Sequence, residues 1–459
     1  MEGKNAMNII IVGAGVTGLT LGYLLSHKGY KVTILEKEHT IGGLARSCNY
    51  NGWSIDIGPH RFHTDDPLVA TFISEIMGDD LLVISRNSKV FFCNQHFEWP
   101  LTFSSIFRLP LSIQLKACRD VVFRPRITNE SYESYVLSKY GRTLTEYFFR
   151  EYNQKFLKID LRDCHKDWAE TGINRATIDK DVKTSSIIEL LLGVLSTRNI
   201  KTKFLYPKTG PIEKFCKKLH EKIKQNGGTI ICGVVLKTIS IEKKRITHIT
   251  DNNGQRWDSD FIFWTGTSYE LEKLLGVTPS CLQYCSTVLC NLLVEGSPPI
   301  PAQWEYFGSR DFVFCRTSIN TCFNELLAPR GFYGICAELV CNKDDFVWNK
   351  AETLLNSVLQ NLIHANIIRN YNSINDVHFE RIENTYPVYR LDYRLQIQTY
   401  MKNLSEIENL IACGRTGGFW YNNMDHSIRS AIDLITIMNE TGFEAKRPHS
   451  LPPVFRGNF

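Results

Sequence analysis

The sequence predicts an α/β protein, and three observations predict it. Residues 8–12, NIIIV, form a β-branched run of the kind found in strands buried on both faces. Gly13, Gly15 and Gly18 follow directly in the pattern G-x-G-x-x-G, and a stretch with helical apolar spacing runs on to a stop at Gly29. A second strand, KVTILEKE, comes next, so residues 8–38 make one compact, Rossmann-like βαβ unit.

Composition narrows the class. The chain has 459 residues, of which 43% are hydrophobic and 22% charged, which excludes a largely disordered chain, a collagen or a coiled coil. The net charge of +5, from 53 basic and 48 acidic residues, is too weak a bias for a nucleic-acid-binding surface. It still suits an anionic small substrate if the charge gathers in a cleft. The 14 cysteines are scattered and include no C-x-x-C pair, so neither a zinc site nor a disulfide framework is expected. The first apolar run passes straight into the glycine loop with no cleavage-site pattern, and a cytoplasmic location is expected. The longest apolar run, 187–195, is far too short to span a bilayer.

Along the chain, residues 66–170 read mostly helical. Residues 211–226 predict an amphipathic helix opened by Pro211 and closed by Gly227 and Gly228. Strand candidates follow in TIICGVV, KTISIE, RITHIT and DFIFWTGT, and the pattern stays strand-rich from 285 to 345. Residues 427–439 predict a closing helix, and the Pro-rich last fourteen residues a loose tail.

The glycine triplet carries the first chemistry. It supplies a tight turn, close backbone approach to a pyrophosphate, and close packing of helix on strand. The helix N-terminus adds free N–H groups and the positive end of a dipole. Glu36 stands 23 residues after Gly13, where a carboxylate can accept hydrogen bonds from a ribose. A solvated charge at a strand end is the bland alternative for Glu36. Two further segments point to FAD rather than NAD. Gly42 and Gly43 in IGGLARS open a second permissive turn, and GRTGGFWYNNMD at 414–425 precedes the last helix. That helix N-terminus can stabilise negative charge on a reduced flavin.

These blocks resemble a known family. The chain is similar to the FAD-dependent nucleotide-sugar mutases typified by UDP-galactopyranose mutase, within the amine-oxidase-like flavoprotein superfamily. GVTGL and GGLARS belong to the whole superfamily. DIGPHRFHTDD at 56–66, residues 131–156, YPVYRLDYR at 386–394 and the 414–427 block resemble the mutases more narrowly. LYPKTGPIEKF at 205–215 resembles generic superfamily members or the longer eukaryotic-type mutases.

The resemblance implies a Rossmann-like FAD-binding domain of the amine-oxidase type with an interleaved α+β substrate domain. The FAD part would comprise 1–65, 205–270 and 384–440. The substrate part would comprise 66–204, mainly helical, and 271–383, strand-rich, leaving 441–459 as the tail. It implies interconversion of pyranose and furanose forms of a nucleotide-diphospho-sugar without net redox change. Reduced FAD is the active form, kept so by an external reductant such as NAD(P)H. Its N5 attacks the anomeric carbon and forms a flavin–sugar adduct.

Residue by residue, the resemblance places Gly13, Gly15, Val16, Thr17, Gly18, Glu36, Lys37, Gly43, Leu44, Ala45 and Arg46 on the cofactor. Gly58, Pro59, His60, Gly414, Arg415, Asn423, Met424 and Asp425 join them. His60 and Arg316 are the catalytic candidates. The His60 imidazole is placed to respond to the flavin's redox state. His63, Tyr152, Arg175, Arg316, Tyr386 and Tyr421 are the substrate candidates, with Arg316 on the diphosphate. For Arg316 the bland alternative is a strand-edge ion pair; for the tyrosines, satisfied core hydroxyls. No metal ligand set is expected.

Three departures bear on specificity. Leu157 stands where bacterial mutases carry a tryptophan, Gly172 where they carry a second arginine, and Asn422-Asn423 where many have Tyr-Asp. Arg175 lies about one helical turn beyond Gly172. Two rival readings therefore stay open: an oxidoreductase of the amine oxidase, protoporphyrinogen oxidase or desaturase type, and a flavin-binding protein without catalysis. The oligomeric state is left open.

Overall fold

The computed structural model describes residues 7–99, 108–123, 125–169 and 202–443. Its first sheet is parallel, in the order β19 (Leu410–Ala412), β13 (Phe261–Trp264), β1 (Asn8–Val12), β2 (Lys31–Leu35), β9 (Thr229–Ile231). Strand β1 sits in the middle, which explains its unbroken apolar run. Ile9 and Ile11 join one core, and Ile10 joins the core on the opposite face. Helix α1 (Val16–His27) covers the first face, with helices Lys214–Gln225 and Met424–Thr441 beside it. The second face is covered by helix Tyr393–Ser405 and an antiparallel sheet of β10 (Leu236–Glu242), β11 (Arg245–Asp251) and β12 (Arg256–Asp258).

A second, seven-stranded sheet runs β18 (Ile374–Val388), β14 (Gln283–Glu295), β17 (Phe332–Cys341), β16 (Arg316–Ile319), β15 (Trp304–Phe307), β6 (Ser88–Phe92), β7 (Gln95–Glu98). Its pairs are antiparallel except β15 with β6. Helix Leu355–His364 packs on one face. The hairpin of β3 (Ser47–Tyr50) and β4 (Trp53–Asp56) packs on the other. A last pair, β5 (Leu81–Ser85) with β8 (Lys203–Pro207), lies between the two sheets in the chain. Thus each large sheet draws strands from separated stretches of sequence.

The mixed α/β architecture agrees with the expected fold class. One stretch differs in detail. Residues 66–170, read as mostly helical, contain strands β5, β6 and β7. The β6–β7 hairpin turns through Cys93 and Asn94, both with positive φ of 48° and 57°. A two-residue turn of that hand is usually signalled by Asn-Gly, so the Cys-Asn pair hides it. The helical remainder is Leu111–Val122, Tyr132–Leu144 and Glu151–Leu157. The helix predicted over 211–226 begins only at Lys214. Most of the expected tail, like Arg175 and Gly172, lies outside the described residues. Among the described residues no helix is long and apolar enough to cross a membrane.

Candidate functional site

A cleft of about 1130 Å³ reaches from the glycine loop after β1 to Arg316 of β16 and Glu338 of β17. At the first end its wall is backbone. Gly13 has φ +102°, and a Cβ there would meet Thr265 Oγ1 at 2.3 Å, so no other residue fits without displacement. Gly15 bridges to Gly42, and a Cβ on Gly43 would come within 3.1 Å of Gly15 Cα. The two permissive turns read from the sequence therefore face each other. Glu36, only 6% exposed, accepts from Ala14 N at 2.6 Å and Glu38 N at 2.9 Å. Each carboxylate oxygen keeps a lone pair for a further donor.

The C-terminal block closes the middle of the cleft. A Cβ on Gly414 would stand 2.9 Å from Thr17 Oγ1, so this segment lies directly on the start of α1. Arg415 donates to Thr385 O from Nε at 3.2 Å and Nη2 at 2.6 Å, and to Asn422 O from Nη1 at 2.5 Å. Its guanidinium lies over the rings of Tyr421 and Tyr386. It is a brace between three segments rather than a surface salt bridge. Asn422 is buried and its Nδ2 has no partner, although the residue lines the cleft. An orphaned donor, two N–H-bearing glycine turns and an acid at the strand end fit a bound dinucleotide.

The far end is built from side chains. Asp56 accepts from Ser47 Oγ, Tyr206 Oη and Ile212 N at 2.6, 2.5 and 3.2 Å; burial holds its carboxyl up at about 6. Past it, Phe62 and Leu205 exchange backbone hydrogen bonds of 2.9 and 3.0 Å. That pairing sends Phe62 into the core; His60 and Arg61 lie on the cleft, and His63 is exposed with its ring edge-on to Phe204. His60 Nδ1 lies 3.4 Å from Gly58 O. Burial, then the charge of Arg415, pushes its imidazole down to about 3, with Arg61 and Arg316 adding to the effect. His60 is therefore neutral at ordinary pH, held so first by burial and then by its arginine neighbours.

Arg316 carries a partner the sequence reading lacked. Its Nε donates to Glu338 Oε1 at 2.6 Å and its Nη2 to Oε2 at 2.8 Å, with side chains 14% and 3% exposed. The two residues stand directly opposite each other across β16 and β17. Burial opposes the guanidinium charge, but the carboxylate outweighs it and holds that charge firmly. Tyr386 Oη accepts from Arg316 Nη2 at 3.1 Å and donates to Glu338 Oε2 at 3.3 Å. Gly58 makes room for this group: a Cβ there would stand 3.0 Å from Glu338 Oε1. An ion pair thus exists at Arg316, but inside the sheet, not at its edge.

Most of the expected residues meet in this one cleft. Gly13, Gly15, Val16, Thr17, Glu36, Lys37, Gly43, Leu44, Ala45, Arg46, Pro59 and His60 line it. So do Arg316, Tyr386, Gly414, Arg415, Tyr421, Asn423 and Met424. Gly18, Gly58 and Asp425 are not on its wall. His63 is exposed and packs against Phe204, and Tyr152 stacks on Phe156; neither is on the lining. Leu157 is 1% exposed, a core residue that offers no stacking face. Trp168 stacks on Tyr421 instead, with centroids 5.0 Å apart. Sequence reasoning missed Arg61 and Glu338. Arg61 lay in plain view between the two histidines, within the quoted segment.

The comparisons with known proteins agree with this architecture. Residues 11–76 match the NAD(P)-binding Rossmann-like domain family. The chain is 28% identical over 173 residues to the L-amino-acid oxidase of Crotalus adamanteus, a match covering 34% of this chain and 33% of that protein. It is 53% identical over 55 residues to the 4,4'-diapophytoene desaturase (4,4'-diapolycopene-forming) of Methylomonas sp, covering 12% of this chain and 11% of that one. The chain thus spans about a third or less of the curated relatives it matches. Among solved structures it is similar to reduced UDP-galactopyranose mutase, with a TM-score of 0.82 at 21% identity, covering 96% of this chain and 95% of that chain. Taken with the sheet order, these give the chain the fold of the amine-oxidase-like flavoproteins.

Proposed function

We propose that the protein is an FAD-dependent nucleotide-sugar mutase that interconverts pyranose and furanose forms of its substrate. The observation that carries this reading is the charge of the far end of the cleft. His60, Arg61, Arg316, Arg415, Tyr386 and Tyr421 gather there, and the Glu338 carboxylate is taken up by Arg316. Such a surface suits a diphosphate and not an apolar channel. FAD would be held by the two glycine turns, Glu36, the N-terminus of α1 and the Asn422–Met424 segment. When bound and reduced it supplies a nucleophile for an anomeric carbon.

The chain's own residues then have separate tasks. Tyr421 would orient the diphosphate, Tyr386 would hold the plane of the Arg316 guanidinium, and Arg316, locked by Glu338, would offer its remaining Nη1 donors. Arginine charge next to the departing phosphate stabilises the leaving group. His60, kept neutral, can accept or donate one hydrogen bond without adding charge.

The test is product analysis of the purified protein with a panel of nucleotide-diphospho-sugars, with and without dithionite. Ring isomers formed only under reduction, with no stoichiometric use of reductant, are expected. A second reading, an FAD-dependent oxidoreductase, is favoured by the partial match to the L-amino-acid oxidase. Oxygen uptake with an amino acid or amine, and no isomer of any sugar, would replace the first reading with the second.

A further inference from the structure

Arg61 differs from the other arginines of the cleft in what holds it. Among the described residues its guanidinium makes one hydrogen bond, Nη1 to Pro59 O at 3.2 Å, and its Nε is buried without a partner. A guanidinium has five N–H donors, so most of its capacity is unused. No carboxylate of a described residue forms an ion pair with it. Its guanidinium lies 4.6 Å above the Trp304 ring and 5.2 Å from the Phe204 ring. Arg86 shares that indole at 5.6 Å, and its guanidinium donates, among the described residues, to Ser88 Oγ alone, at 2.9 Å. The Trp304 Nε1 is itself buried without a partner.

Two guanidiniums over one ring repel each other. Burial, then the charge of Arg61, pushes Arg86 down to about 10; burial and the charge of Arg316 depress Arg61 as well. Asp425 and Tyr306 lie close enough for their charge to reach Arg61, and Tyr306 close enough to reach Arg86 as well. An arrangement with this much unspent charge and donor capacity is stabilised by a multiply charged anion that fills it. Arg316 is already neutralised by Glu338, and the Arg415 N–H groups go to backbone carbonyls.

We infer that Arg61, backed by Arg86 and seated on Trp304 and Phe204, is the principal binding residue for the substrate's diphosphate. The inference rests on the reading that the substrate carries a diphosphate, and it moves the anion's main partner from Arg316 to the residue after His60. Arg61 reaches the cleft directly, whereas Arg86 acts from behind as a second positive charge.

The experiment is calorimetric titration of the purified full chain with sodium pyrophosphate, with thermal melting as the check on folding. Arg61→Gln should weaken pyrophosphate binding about 10- to 100-fold, the loss of one or two charge-assisted hydrogen bonds. Arg61→Lys keeps the charge but not the fork, and should fall between the two. Pyrophosphate binding by Arg61→Gln within twofold of the parent would overturn the inference, as would no binding by the parent. Acetate binding with an equal dependence on residue 61 would overturn the diphosphate assignment. Failure of sugar isomerisation, with pyrophosphate binding still dependent on Arg61, would remove the mutase reading and leave this one standing.

Discussion

At the glycine end of the cleft, Gly13, Gly15, Gly42 and Gly43 present main chain to the ligand, and the buried Glu36 is tied to two backbone amides. At the arginine end the ligand would meet guanidiniums and phenols brought from residues 61, 316, 386 and 421. The first end gains its shape from what is missing, a Cβ. The second gains its chemistry from charges that must be balanced. A backbone cradle is therefore sensitive to bulk, and a charged corner to the loss of a counter-ion.

The largest expected effect lies at the charged corner. Glu338→Ala leaves the Arg316 guanidinium buried without its carboxylate, and should cost about 3–5 kcal/mol of stability. Urea denaturation measures it, and replacing both Arg316 and Glu338 by Met should recover much of the loss. A small effect of Glu338→Ala would mean that solvent already screens the pair. Next comes the cradle. Gly13→Ala combines a positive φ with a Cβ set against Thr265 Oγ1, and should cost about 2–3 kcal/mol and the retention of flavin on purification. Absorbance near the flavin band, read beside a melting curve, separates the two losses.

The smallest effect is a slope. His60 is held near 3 in the fold against about 6.5 unfolded, so the unfolded chain binds the extra proton between those values. Stability from this group is fully present above about pH 6.5 and declines as pH falls toward 3. His60→Asn should flatten that decline in melting temperature across mildly acid pH. An unchanged slope would show that His60 is more hydrated than its surroundings indicate.

The same contrast explains what could be read from the chain. The glycine cradle was legible because its parts are local: strand, triplet, helix, strand and acid fall within thirty-odd residues, and each has a residue type that physics restricts. The arginine corner was half legible. Tyr386, Tyr421, Arg316 and His60 came from a resemblance of blocks, and they do share one cleft. Glu338 did not, because its role depends on the register of β16 against β17, which alternation alone does not set. Arg61 was hidden by its neighbours: two histidines draw attention, and the partners that define it, Phe204 and Trp304, belong to other elements. The β6–β7 hairpin was missed for want of a glycine in its turn.

The contact of Gly414 with the start of α1 has a consequence for how the protein is made. Strand β19 completes a sheet begun by residues 8–12, and Asn423 and Met424 complete a wall begun by Gly13. Synthesis proceeds from the other end, so a growing chain carries its glycine loop unfinished until residues 410–424 have emerged. Pairings of such long sequence separation are slow to form. A cofactor met before the 410–424 segment has emerged would find the glycine turns without the wall that Asn423 and Met424 supply.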